Sequence, residues 1–151
     1  MADIKAGKIE ISCIVYATED FDKVSNAIKN LFPDKLKGKI NLTKKKFSGY
    51  YGNPISTLTT EIKDSDSTEL FLINLSGKFS NEDKIELTEE FNKHLDNDGN
   101  LYLRLDKQAV YLNMVQLNQH GTIKVRISIK KSKRTPKESL KEYYRRIGLV
   151  I

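Results

Sequence analysis

The stretch Asp96-Asn-Asp-Gly-Asn-Leu-Tyr-Leu-Arg-Leu-Asp-Lys-Gln-Ala-Val-Tyr-Leu112 sets a polar turn in front of an alternating strand. Successive strand side chains point to opposite faces, so Leu101, Leu103 and Leu105 share one face and Tyr102, Arg104 and Asp106 share the other. The first face is built for a core. The second offers an aromatic ring, a cation and an anion to something outside. The Asp106-Lys107-Gln108 run that follows has no packing purpose visible in the pattern. The rest of the chain reads as scaffold around this strand and its partners.

Working outward, Ile9-Glu-Ile-Ser-Cys-Ile-Val-Tyr-Ala17 alternates and then turns almost wholly apolar, which marks a central strand. Glu19 and Asp20 favour a helix start, and Phe21, Val24, Ala27, Ile28 and Leu31 recur at helical spacing until Pro33. Residues 34–38 read as a loop. Residues 39–47 and 55–62 read as two strands paired across Gly49-Tyr-Tyr-Gly-Asn-Pro54, a tight connection. Helices are expected over residues 65–76 and from Ser80 onward to Asp96. In the second, Asp83 stands where a capping box usually has Glu or Gln. Gln108–Leu112 reads as a short helical or irregular bridge, Met114–Leu117 as a strand, and Asn118–Gly121 as a turn. Thr122-Ile-Lys-Val-Arg-Ile-Ser-Ile-Lys130 alternates cleanly, with Lys124, Arg126, Ser128 and Lys130 outward. In the tail, Thr135-Pro-Lys-Glu138 joins a capping box to a first-turn proline. Leu140, Tyr143, Tyr144 and Ile147 then form an apolar stripe ended by Gly148.

The 151 residues suit one domain that needs neither disulfide nor metal to hold it. Apolar runs fall far short of the roughly 18–20 residues of a membrane span, and the N-terminus lacks the apolar stretch of a secretory signal. A lone cysteine, Cys13, fits a reducing cytoplasm. The net charge of +6 is localised: residues 130–151 hold eight bases and two acids, while the first 129 residues hold 18 of each. Residues 35–46 carry six lysines and no acid, whereas residues 61–98 carry eleven acids and four lysines. Such bipolarity points to a polyanion partner on the basic side.

Enzymatic signatures are missing. One cysteine and two histidines, His94 and His120, do not make a zinc site. The Asp96-Asn-Asp-Gly turn fits a calcium loop poorly, because His94 and Leu105 fall where the first and last ligands belong. Nucleophile-elbow, phosphate-loop and dinucleotide patterns do not occur. Tyr50 and Tyr51 lie beside Lys44, Lys45 and Lys46, so the rings either stack on bases while the ammoniums meet phosphates, or they anchor the turn. For the tail, too, two readings stand: an RNA-contacting or partner-docking helix, or a helix docked on its own domain with a solvated basic side.

Two longer motifs, Tyr51-Gly-Asn-Pro-Ile55 and Asp98-Gly-Asn-Leu-Tyr-Leu-Arg-Leu-Asp-Lys-Gln-Ala109, resemble an archaeal family of RNA-binding proteins described as predicted exosome subunits. The resemblance runs over residues 8–130, and includes the opening strand that ends in Ala17-Thr-Glu-Asp20. Family members usually carry histidine where Tyr50 stands and often phenylalanine where Leu105 stands. The resemblance implies an α+β fold like that of the ribosomal protein that holds the small rRNA of the large subunit. It also implies a non-catalytic RNA-binding role attached to RNA processing or degradation, and brings no catalytic residues or cofactor with it.

The expected architecture is therefore an α+β domain over residues 1–130, with a curved mixed or antiparallel sheet of about six strands and helices on one face. A basic linker and amphipathic helix follow over residues 131–151. RNA is the expected partner of a cytoplasmic, non-enzymatic protein. Its candidate contacts are Lys44, Lys45, Lys46, Tyr50, Tyr51, Arg104, Lys107, Gln108, Lys124 and Arg126. Lys131, Lys133, Arg134, Arg145 and Arg146 of the tail would add sequence-independent affinity. The alternative is a protein-interaction adaptor or homo-oligomerisation module whose Tyr143/Tyr144 helix packs on a neighbour.

Overall fold

Alternation of apolar residues lays down the strands Lys5–Tyr16, Leu101–Leu105 and Ile123–Lys130, β-branched residues favour Pro54–Ile62, and the register among them and Thr43–Ser48 builds one sheet. The computed structural model describes residues 4–48, 54–132 and 134–151. Tyr50, Tyr51 and Lys133 lie outside the described residues. The strands are β1 (Lys5–Tyr16), β2 (Thr43–Ser48), β3 (Pro54–Ile62), β4 (Leu101–Leu105) and β5 (Ile123–Lys130). They lie in the order β2-β3-β1-β5-β4 with every pairing antiparallel.

One face of the sheet is apolar across its central and β4-side strands. Ile9, Ile11, Cys13 and Val15 of β1, Leu101, Leu103 and Leu105 of β4, and Ile123, Val125, Ile127 and Ile129 of β5 are all buried there. Helices cover them: α1 (Phe21–Lys29), α2 (Asp34–Lys37), α3 (Ser65–Lys78), α4 (Asn81–Glu89), α5 (Lys107–Tyr111) and α6 (Lys137–Ile147). Their starts are capped as the residue types predict. Asp20 accepts from the Asp22 and Lys23 amides, Asp64 from Ser67, and Asp106 from Ala109. α6 inserts Leu140, Tyr143 and Tyr144 into the same core, with the Tyr144 ring 5.8 Å from that of Phe91. Burying each such side chain stabilises the fold by about 1.5–3 kcal/mol. Gly148 ends α6 at φ 102°, a left-handed conformation that favours glycine. No helix among the described residues is long and apolar enough to cross a membrane.

Several local expectations are corrected. Among the described residues the sheet holds five strands, and residues 114–117, expected as a strand, contribute only a single bridge, Leu117 to Leu105. The Leu117 amide donates instead to the Asp83 carboxylate at 3.1 Å. That contact also explains the aspartate in the α4 first turn: Ser80 caps the Asp83 amide, while the Asp83 side chain reaches across to Leu117. Residues 34–38 form a helical turn, and the preceding helix stops at Lys29. α4 ends at Glu89, and a 3₁₀ turn over Phe91–His94 completes the approach to the Asp96 turn. The capping box at Thr135 does not form: Pro136 occupies the cap position without a side-chain bond, and Thr135 Oγ1 lies 3.2 Å from Ser132 Oγ.

Candidate nucleic-acid interface

The face of the sheet opposite the helices carries polar and aromatic side chains in register. Tyr102 of β4, Arg126 of β5, Glu10 of β1 and Glu61 of β3 are successive partners across four strands. The adjacent row spans all five: Arg104, Lys124, Ser12, Thr59 and Thr43. Farther along, Lys45, Thr57 and Ile14 pair, and then Phe47, Ile55 and Tyr16. Tyr16, Phe47 and Tyr102 each leave more than 40% of their surface exposed, at 46%, 44% and 41%. A cavity of about 710 Å³ opens on this face, lined by the first row, by Lys124, Ser12, Thr59 and Thr43 of the second, and by Lys39, Asn41 and Lys63.

The two rows differ in how their charges are answered. Glu10 Oε1 accepts ion pairs from Lys8 at 3.1 Å and Arg126 at 3.2 Å, and Glu61 pairs with Lys63 at 3.3 Å. Arg104 donates to the Gly121 carbonyl at 3.3 Å. Among the described residues, neither Arg104 nor Lys124 has a carboxylate in ion-pair contact. Two adjacent cations without acids are the strongest local attraction for phosphate on this face.

The Tyr102 ring is held in place. Its hydroxyl donates to Asp96 Oδ2 at 3.1 Å, and the Arg126 guanidinium lies 5.8 Å from the ring centroid. Burial and the Asp96 hydrogen bond raise the Tyr102 hydroxyl above its usual range, so it stays protonated and donating. Burial opposes ionisation of Asp96, but hydrogen bonds from Asn100, Tyr102 and Asp98 outweigh it and hold the carboxyl below its usual range. This turn is therefore a hydrogen-bonded lead-in to β4.

The other candidate residues divide by location. Lys45 lies on the open face, 5.4 Å from the Phe47 ring, but the alternation of β2 turns Lys44 and Lys46 to the helix side. There Lys44 sits 4.3 Å from the Phe21 ring of α1. Lys107 is buried: its ammonium donates to the Ile14 carbonyl at 2.6 Å and pairs with Glu19 at 2.9 Å. Gln108 is exposed on α5. The Lys131 side chain passes Gly99 (φ 84°), where an added Cβ would stand 2.5 Å from its Cε. Arg134 is exposed in the turn before α6. Arg145 pairs with Glu142, and Arg146 lies 6.0 Å from the Tyr143 ring. α6 belongs to the helical layer, so these two arginines are not on the open sheet face. Tyr143 and Tyr144 are buried in their own chain and offer no ring to a neighbour.

Tyr16, Phe47, Glu10 and Glu61 did not stand out in the sequence. Each occupies the polar phase of its strand, but only the strand order shows that they face Arg104 and Lys124. The Cys13 thiol is buried, and burial pushes its pKa up, which removes it as a ready nucleophile. No group of three or more His, Cys, Asp or Glu side chains among the described residues is placed to hold a metal ion.

A family model described as RNA binding matches residues 8–130. The chain belongs to this RNA-binding family. It is 38% identical over 129 residues to the RNA-binding protein PAB1135 of Pyrococcus abyssi, covering 84% of each chain. Among solved structures it is similar to the DUF54 protein AF2318 of Archaeoglobus fulgidus, with a TM-score of 0.78 and 29% identity over 95% of this chain and 99% of that one. The DUF54 protein Mth689 of Methanothermobacter thermautotrophicus aligns with a TM-score of 0.74 and 27% identity, covering 96% of this chain and 98% of that one.

Proposed function

We propose that this chain is a non-catalytic RNA-binding protein that lays single-stranded RNA across the open face of its sheet. The observation that carries the reading is the in-register pair Arg104 and Lys124, unpaired by acids among the described residues and continued by Ser12, Thr59 and Thr43. Phosphates meet the cations, hydroxyls bond to ribose or base edges, and exposed Tyr102, Phe47 and Tyr16 stack on bases. The name of the Pyrococcus relative and the family match support the same activity. We further place the protein in the cytoplasm as an accessory of RNA processing or degradation, with the exosome as the machinery suggested by the resemblance of its two long motifs.

Fluorescence anisotropy of labelled single- and double-stranded RNA across a salt series tests the proposal. Contacts from Lys45, Arg104 and Lys124 correspond to about three phosphates, hence a log–log salt slope near −2 for a single strand. Single-stranded RNA should bind more tightly than a duplex, whose bases are not free to stack on the sheet. Undetectable affinity for both at low salt would sink the proposal.

A further inference from the structure

We propose that the cavity on the open face is a guanine-reading subsite, with the Glu10 carboxylate as the group that identifies the base. The inference rests on the RNA-binding reading above and names what that face selects.

Glu10 and Glu61 stand directly opposite one another on β1 and β3. Like charges in that position disfavour strand pairing and repel phosphate. Neither effect helps a surface whose only task is to hold an RNA backbone. Three cations, Lys8, Arg126 and Lys63, offset the pair. Both contacts to Glu10 land on Oε1, and among the described residues Oε2 accepts nothing. A carboxylate accepts two parallel donors, one on each oxygen or both beside the unshared one.

Among the four bases, guanine alone presents two adjacent N–H donors, N1–H and N2–H₂, on its Watson–Crick edge. Its neighbouring O6 is an acceptor suited to a cation, and Lys124 lines the same cavity. Adenine and cytosine would each turn a ring-nitrogen acceptor toward the carboxylate beside their single amino donor. The Tyr102 ring, fixed by Asp96 and flanked by Arg126, supplies a flat wall on which the base stacks. The cavity of about 710 Å³ lies within the roughly 300–1,000 Å³ range of clefts that hold ligands of this size.

The test uses the full chain and uridine-rich RNAs of about ten nucleotides, a length suited to such a surface. Each carries one central guanosine, inosine, adenosine or cytidine. Guanosine should bind about tenfold more tightly than adenosine or cytidine, and inosine, which lacks the N2 amine, should fall between. Glu10→Gln should bring guanosine and adenosine RNAs within about twofold of each other. It should also tighten the adenosine and cytidine RNAs, because a charge facing the phosphates is removed. Glu61→Gln is the companion variant. Equal binding of all four RNAs overturns the guanine inference and leaves the RNA-binding reading intact. So does a guanosine advantage that survives Glu10→Gln, or inosine binding as tightly as guanosine to the unaltered protein. Failure to bind any of the RNAs overturns the RNA-binding reading itself.

Discussion

The Lys107 ammonium is locked to Glu19, 2.9 Å from Oε1 and 3.1 Å from Oε2, and donates in addition to the Ile14 carbonyl at 2.6 Å. It thereby ties the start of α5 to the end of β1, with the Tyr111 hydroxyl also donating to Glu19 at 3.4 Å. Removing one partner leaves the other charge in a largely dry site. Glu19→Gln should cost about 2–3 kcal/mol in urea unfolding, reduced from the value for a fully enclosed pair because Glu19 keeps some solvent contact. Burial opposes ionisation of Glu19, but hydrogen bonds from the Tyr16 amide, Lys107 and Tyr111 prevail and hold its carboxyl below its ordinary range. The folded state therefore binds this proton more weakly than the unfolded chain. Its stabilisation is present above the ordinary glutamate range and is lost as pH falls through and below it. The unfolding midpoint of the wild type should drop more steeply with acid than that of Glu19→Gln.

On the open face, Arg104→Ala should weaken binding of single-stranded RNA uniformly across sequences, and Lys124→Ala should weaken binding of all of them while lowering any guanosine preference. Each should also make the salt slope shallower by about 0.7. Lys44→Ala, on the helix side, should leave the slope within error. An anisotropy salt series on the three variants separates the sheet face from general positive charge.

Tyr143 and Tyr144 predict an alkaline transition. Burial pushes the Tyr143 hydroxyl up to about 12, and Tyr144 is raised well above its ordinary value by the same cause. The folded chain holds these protons more firmly than the unfolded one, so stability is full below the ordinary tyrosine range and declines as pH rises through it toward the raised values. Tyr143→Phe should flatten that decline, measured as the urea midpoint between neutral and strongly alkaline pH.

Tyr144 is also a packing anchor. Tyr144→Ala should destabilise the chain by about 3–5 kcal/mol in chemical unfolding, because it opens a cavity beside Phe91. Removing residues 131–151 should unmask the same surface and compromise folding as a whole. A loss of RNA affinity on that truncation would not by itself assign RNA contacts to the tail.

What the sequence made legible follows from the range of each interaction. Leu101, Leu103 and Leu105 announce a buried face because the period of two is local, and the stripe through Leu140, Tyr143 and Tyr144 is local in the same way. The separation of Lys45 from Lys44 and Lys46 was written in that period too, although their shared charge hid it. Lys107 was opaque for a different reason: its partners, Glu19 and the Ile14 carbonyl, lie some 90 residues earlier, so nothing nearby showed that its ammonium is enclosed. Glu10 and Glu61 meet only once β3 is placed beside β1. The Thr135 capping box failed because its residue types matched while the chain entered the helix one residue later, at Pro136.

β2 ends the sheet order, and three successive lysines lie along it, one toward the open face and two toward the helices. A terminal strand exposes backbone donors and acceptors that another chain can extend, and lysine is among the residues that discourage this. Any copy attempting to add its own β2 alongside would bring a second set of ammoniums against the first. The lysine run should therefore act as an electrostatic fence against edge-to-edge pairing of sheets.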